Sequence, residues 1–328
     1  MSSLPVLSPH RPEAPGRLAR AREELGGWRL VDLLAYGAAW AAGLMLTFIA
    51  LALLAFLAIK GVSFLSLDLI TSRPEPGIDQ SKTGGILDPI IGTFVMITIG
   101  IAVATPLGVG SALWVVEYGK PTWLARAVES AIEVVAGMPS IVIAIFGLAL
   151  VQEHLFAWFS FTGEGGAVYG RSFVNAGVAM SLIALPLVFG ATREALLTVP
   201  SHMREASYAL GKTQAETIRR VLLPSVRSNI GTGMALGMGR IAGDTAIVVI
   251  LLGASLRLQP LESADPVTNF FRGTGSTLTS FVYNNSPAGE GNAPDKAYAA
   301  GFFLLLIVIL LNFAVSAVLK RGEDGPAK

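Results

Sequence analysis

The sequence predicts an all-α, multi-pass membrane protein with six transmembrane helices. Three observations carry that prediction. Of 328 residues, 52% are hydrophobic and only 14% are charged, where a soluble domain carries about a quarter charged residues. The apolar residues gather into six runs, each near the roughly 20 residues needed to cross a hydrocarbon core. Lys and Arg are unevenly distributed between alternate connecting segments, as the positive-inside rule requires of a multi-pass chain.

The first run, about Leu33 to Ile59, is longer than the h-region of a secretory signal, and no small-x-small cleavage site follows it before Lys60. It is expected to persist as a helix. The second, about Ile90 to Val115, contains Pro106 and should kink there. The third spans about Ala127 to Val151 and the fourth about Val174 to Phe189, extending toward Leu197 with Pro186 inside. The fifth is about Ile230 to Leu252 and the sixth about Tyr298 to Leu319. With the N-terminus in the cytoplasm, inside segments hold sixteen Lys and Arg, outside segments seven, and Arg240 lies within a span. Both termini are therefore expected in the cytoplasm. Residues 1–29 read as a Pro/Arg/Glu-rich cytoplasmic tail, 30–320 as the six-helix domain with a cytoplasmic loop at 198–228, and 321–328 as a second tail. The outer segment from Arg257 to Pro294, rich in Gly, Ser, Thr, Asn and Pro, reads as irregular.

Composition also excludes. A net charge of +1 gives no electrostatic footprint for nucleic acid. There are no cysteines, hence no disulfide, thiolate metal site or Cys nucleophile, and His10, His154 and His202 are too scattered in sequence to suggest a metal cluster.

The loop between the fourth and fifth runs contains Arg204-Glu-Ala-Ser-Tyr-Ala-Leu-Gly211, followed by a segment reaching Leu222-Leu223-Pro224. Physically this is a short amphipathic helix, a glycine break, and a second helical segment expected to end near Pro224. An interfacial helix would look much the same. The spacing, however, resembles the coupling loop of importer-type ABC transporter permeases: Glu-Ala-Ala, three residues, Gly, nine residues, Ile, one residue, Leu-Pro. Glu205, Ala206, Gly211, Leu223 and Pro224 fall on it, Ser207 replaces the third small residue and Val221 stands at the Ile position. The resemblance implies that these residues couple the chain to a cytoplasmic ATPase. The overlapping Ala206 to Thr213 stretch is one glycine short of a phosphate-binding P-loop and follows no strand. ATP hydrolysis is thus expected in a partner.

The fifth run carries Arg240 and Asp244 close to mid-membrane, where each charge costs roughly 2.5–3.5 kcal/mol to insert. Their i,i+4 spacing places them on one helical face, able to pair. Gly233 and Gly237 fall roughly on that face, where another helix or a solute can approach. Such a pair fits either of two roles. One is a buried ion pair that fixes packing. The other is a permeation path in which the Arg240 guanidinium binds an oxyanion and Asp244 neutralises it when empty or accepts a hydrogen bond from a protonated anion. The Gly137-Met138-Pro139-Ser140 stretch suggests a kink whose freed carbonyls and Ser140 hydroxyl could line a polar path. No partner for Glu133 is legible, and Met234 and Met238 read as packing residues.

Gly239-Arg240-Ile-Ala-Gly243-Asp244-Thr245-Ala246 resembles the Gly-Arg-Ala-Leu-Gly-Glu-Thr-Ala run of phosphate ABC-transporter permeases. Gly84-Gly85-Ile-Leu-Asp-Pro89-Ile-Ile-Gly92-Thr93, Thr105-Pro106-Leu-Gly108 and Gly137-Met138-Pro139-Ser140-Ile-Val142 resemble further segments of that family. The resemblance runs from about Gly84 to Leu319 and is strongest to its A-type subunit. It implies an importer-type permease fold in a bacterial cytoplasmic (inner) membrane, with no cofactor in this chain and ATP and Mg in the partner ATPase. The implied partners are a C-type second permease forming a heterodimer, two ATP-binding subunits, an extracytoplasmic phosphate-binding protein and membrane lipid, with no nucleic acid. The implied substrate path is Arg240, Asp244, Thr245 and Ser140. Two positions depart from the family: Asp244 replaces its usual Glu, and Gly190-Ala191-Thr192 follows Leu185-Pro186-Leu187 where Arg-Thr-Thr is common. The alternatives are a permease of the same architecture for phosphonate, molybdate or sulfate, or a membrane-embedded enzyme or scaffold, for which no catalytic set is evident.

Overall fold

The computed structural model describes residues 30–75, 84–119, 121–153, 159–160, 170–253, 270–289 and 293–321. The two tails lie largely outside the described residues, apart from Arg321. The chain divides into two units, 1–56 and 57–328.

Of the first unit, the described part is helical. It belongs to α1, Leu30–Phe64, a continuous helix of 35 residues whose apolar window has no buried residue. Leu34, Leu46, Phe48 and Leu53 all project outward. A soluble helix would hide such a surface; one in lipid has no need to.

The second unit is built around three long helices. They are α3 (Leu87–Leu113, running on as a π-helical turn over Trp114–Tyr118), α6 (Phe173–Thr198) and α9 (Leu223–Gly243). Before them comes the short α2 (Leu67–Thr71), capped by Ser66. Helix α6 is the hub. Met96, Ile97 and Ile101 of α3, Ala176, Met180 and Ile183 of α6, and Ile241 and Ala242 of α9 share one core, with Met234 and Met238 packed against it. Small residues permit this close approach: Gly237 of α9 sits between Ile101 and Ala184, and a Cβ on Gly177 would collide with Ile99. Helix α3 continues through Pro106. At one end, Leu69, Ile86, Ile90, Leu278 and Phe281 form a second core with α11 (Pro294–Arg321). At the other, Ala112, Phe189, Leu196, Ile218 and Leu222 form a third.

Three sequence expectations change. The third run is two helices, α4 (Thr122–Gly137) and α5 (Ser140–Val151), bent by 106° at Met138-Pro139. Pro139 offers no N–H and forces Met138 into extended backbone (φ −73°, ψ 132°), so the helix cannot continue. Among the described residues, four helices are individually long and apolar enough to cross a membrane, five if the bent pair is one span. Helix α9 is not among them, because five glycines with Arg227, Asn229 and Arg240 dilute its apolar content. The outer segment is also not wholly irregular: α10, Leu278–Asn285, is closed at its start by a Thr277–Ser280 capping box. Its Leu278 N–H donates to Thr93 Oγ1 (2.9 Å), and a Cβ on Gly92 would strike the Ser276 carbonyl. Residues 254–269 and 290–292 of that segment lie outside the described residues.

Candidate functional site

The 198–228 segment contains α7, Ser201–Ala209, entered through the extended Pro200. The helix ends in a left-handed turn at Gly211 (φ 75°), where the Gly211 N–H donates to the Tyr208 carbonyl (2.9 Å) and the Lys212 N–H to the Ser207 carbonyl (3.3 Å). Only glycine adopts that backbone without strain. Residues 206–209 are therefore helical and cannot form a phosphate cradle. Helix α8, Gln214–Thr217, then starts in a Thr213–Glu216 capping box. Glu205, Ala206, Gly211 and Pro224 are exposed, as are Tyr208 and Leu210, while Leu223 is half-buried. Ser207, the departure from the family pattern, is buried, and its hydroxyl lies 2.8 Å from that of Thr217. That bond ties α7 to α8.

Pro224 does not end a helix. Ile218–Leu222 form a π-helical turn in which the Leu223 N–H reaches the Ile218 carbonyl, and α9 follows directly with Pro224 in its first turn. The wider turn accommodates a residue that lacks the N–H an α-helix would use at that position.

In the membrane-facing part, Arg240 is in the last turn of α9 and is exposed. Gly237 contacts Ile101 and Ala184, and Ile241 contacts Gly100, so Arg240 is level with the middle of α3 and α6. Arg240 and Asp244 do not pair: among the described residues Arg240 has no ion-pair or hydrogen-bond partner. The cause is local. Helix α9 stops at Gly243, and Asp244 (φ −81°, ψ 130°) leaves the helical track, so residue i+4 no longer stands over residue i. Asp244, 8% exposed, instead accepts the Ile247 N–H at Oδ1 (2.9 Å) and starts the next helical segment, which passes into a π-turn at Val248–Leu252. Its carbonyl takes the Thr279 hydroxyl of α10 (3.2 Å). Thr245 is half-buried in the break. Ser140, also half-buried, opens α5, and no hydrogen bond among the described residues joins it to Arg240, Asp244 or Thr245. Gly233 and Gly237 are filled by α6 (Ala191, Val188 and Ala184), so they accommodate a helix and not a solute.

Glu133 is exposed and lines a cavity of about 240 Å³ with Glu129, Arg193 and Glu194; Arg193 Nε donates to Glu129 Oε1 (2.6 Å). Glu117, in the π-turn of α3, is buried against Arg204 of α7. Thr279 and the Glu117–Arg204 pair escaped sequence reasoning: the first is in a loop-like stretch and the second joins residues 87 positions apart.

The described residues thus form an all-helical apolar core in which α9 breaks level with the middle of α3 and α6, as in a multi-pass membrane protein. Residues 104–323 match the family of binding-protein-dependent transport system inner membrane components, and the chain belongs to it. It is a permease subunit of an ABC importer and a multi-pass inner-membrane protein; it is not an enzyme, and the ATPase is a separate subunit. The chain is 30% identical over 296 residues to the probable ABC transporter permease protein YqgI of Bacillus subtilis (strain 168), covering 88% of this chain and 94% of that one. It is 30% identical over 249 residues to the phosphate transport system permease protein PstC of Xylella fastidiosa (strain 9a5c), 72% of each chain. With PstA 1 of Mycobacterium tuberculosis (strain CDC 1551 / Oshkosh) it shares 30% over 241 residues, 74% of this chain and 72% of that one. The fold is that of a chain in the crystal structure of a bacterial alginate ABC transporter, with TM-score 0.62 and 15% identity over 95% of this chain and all of that one.

Proposed function

We propose that this chain is the A-type permease subunit of an ATP-driven importer of inorganic phosphate. It would form half of the translocation path beside a C-type permease, with two ATP-binding subunits on the cytoplasmic side and an extracytoplasmic phosphate-binding protein outside. Both termini are cytoplasmic in this arrangement. The observation that carries the reading is Arg240, an exposed guanidinium level with the middle of the core helices and without a partner among the described residues. Lipid contact there would cost roughly 2.5–3.5 kcal/mol; a shared polar path removes that cost and supplies an anion to bind. Asp244 and Thr245 mark the break at which the helix opens, and Ser140 the break between α4 and α5. Phosphate is favoured by the relatives named as phosphate permeases, both PstA and PstC.

One observation favours the alternative of another oxyanion. Gly190 stands in α6 where phosphate permeases often carry Arg, and the nearby Arg193 is engaged by Glu129. The deciding experiment is ATP-dependent uptake of radiolabelled phosphate into vesicles containing the purified complex, with unlabelled molybdate, sulfate and phosphonate as competitors. Phosphate uptake blocked only by excess phosphate supports the proposal. Blockade by another anion at lower concentration assigns the path to that anion.

A further inference from the structure

Besides the chain itself, which enters α7 from α6 through Val199-Pro200 and leaves it by the Gly211 turn, the coupling helix is tied to the core by side chains. Arg204 of α7 donates from Nη2 (2.8 Å) and Nε (3.1 Å) to Glu117 Oε1 at the π-helical end of α3. Its Nη1 donates to the Val199 carbonyl (2.8 Å) and its Nη2 to the Leu196 carbonyl (3.0 Å), the final turn of α6. Gln214 Nε2 of α8 donates to the Glu117 carbonyl (2.7 Å). The side chains of Glu117 and Arg204 are only 6% and 21% exposed. One guanidinium thus joins three elements, and its planar fork, unlike an ammonium, can satisfy a carboxylate and two carbonyls together.

From this geometry we infer that Arg204 and Glu117 are positioning residues for energy coupling: they make α7, the cytoplasmic end of α3 and the end of α6 one rigid body, so that displacement of α7 by the ATPase is delivered to α3 and α6 as well as to α9. The inference rests on the reading of α7 as the ATPase-docking element. A helix held only by its two flanking links, the extended Val199-Pro200 junction with α6 and the Gly211 turn, would yield under load. The π-turn at Trp114–Tyr118 serves this arrangement by carrying Glu117 at the end of α3, where Arg204 reaches it.

The test exploits a chain without native cysteines. Spin labels at His202→Cys on α7, which is exposed, and Gly110→Cys on α3, which has open space around it, report the α7–α3 distance in the purified full complex. The expected wild-type result is one narrow distance distribution, unshifted by ATP binding. Arg204→Ala and Glu117→Gln should broaden or shift it. Arg204→Lys, which keeps the charge and loses the fork, should do so to a lesser degree. In the same complexes, ATP hydrolysis should persist while phosphate transported per ATP falls roughly tenfold, within the usual range of coupling energies. The inference is overturned if the variants keep the wild-type distribution, if the wild-type distance itself shifts on ATP binding, or if uptake and hydrolysis fall in proportion. Failure of the wild-type chain to bind any ATPase subunit would instead refute the docking reading; the nucleotide-free distance comparison would still test the rigid unit.

Discussion

Arg240 and Asp244, four residues apart, follow different rules. Arg240 remains a helical side chain directed away from its own subunit, whereas Asp244 becomes the cap of a new helical segment. Their substitutions should therefore separate. Arg240→Ala should reduce uptake by roughly 10–100-fold, the loss of a charge-assisted hydrogen bond, with the subunits still copurifying; Arg240→Lys should recover part. Asp244→Ala should lower stability by about 1 kcal/mol, seen as a reduced melting temperature, while Asp244→Asn, which also caps, should lie close to wild type. The motif was legible at this scale, but its geometry was not. Helical spacing implies pairing only while the helix continues, and nothing in Gly243-Asp244-Thr245 announces a break as clearly as a proline would. Glu117 was hidden for another reason: an ion pair between residues 87 positions apart has no local signature.

Among the elements, apolar run length located α1, α3, α6 and α11 because each is long and strongly apolar. It failed for α10, whose buried Leu278 and Phe281 lie in a stretch dominated by Ser, Thr and Asn. The hydroxyls of Thr277 and Ser280 are used in the capping box and that of Thr279 on the Asp244 carbonyl. In segment 198–228 the two short helical pieces about a glycine break were legible, and the structure supplies reasons for two positions. Gly211 needs a left-handed backbone, so Gly211→Ala should cost about 1 kcal/mol and weaken recovery of the ATPase in pull-downs. Ser207→Ala leaves the buried Thr217 hydroxyl without its cross-helix partner, and should destabilise the loop by about 1 kcal/mol, measurable as faster proteolysis between α7 and α8.

At the scale of the whole molecule, the second unit has a well-packed centre in which α6 meets both α3 and α9. Orientation is open to a simple check. A single cysteine placed at Tyr283, exposed on α10, should react with an impermeant maleimide in intact cells, and one placed at Leu210 only after the membrane is opened. Reaction of the Leu210 position from outside, with the Tyr283 position reacting only after the membrane is opened, would reverse the proposed topology.

The unbroken helical run from Gln214 through the π-turn to Gly243 has a mechanical corollary. Thirty residues at 1.5 Å each make a shaft of about 45 Å with the Thr213–Glu216 capping box at its foot and Arg240 near its head. A shaft transmits rotation as well as thrust. Adding one residue between Pro224 and Gly239 would turn the guanidinium by about 100° relative to the foot and aim it at a different wall. Register along this segment is thus a functional quantity in itself, and insertions there should abolish transport even where every named side chain is retained.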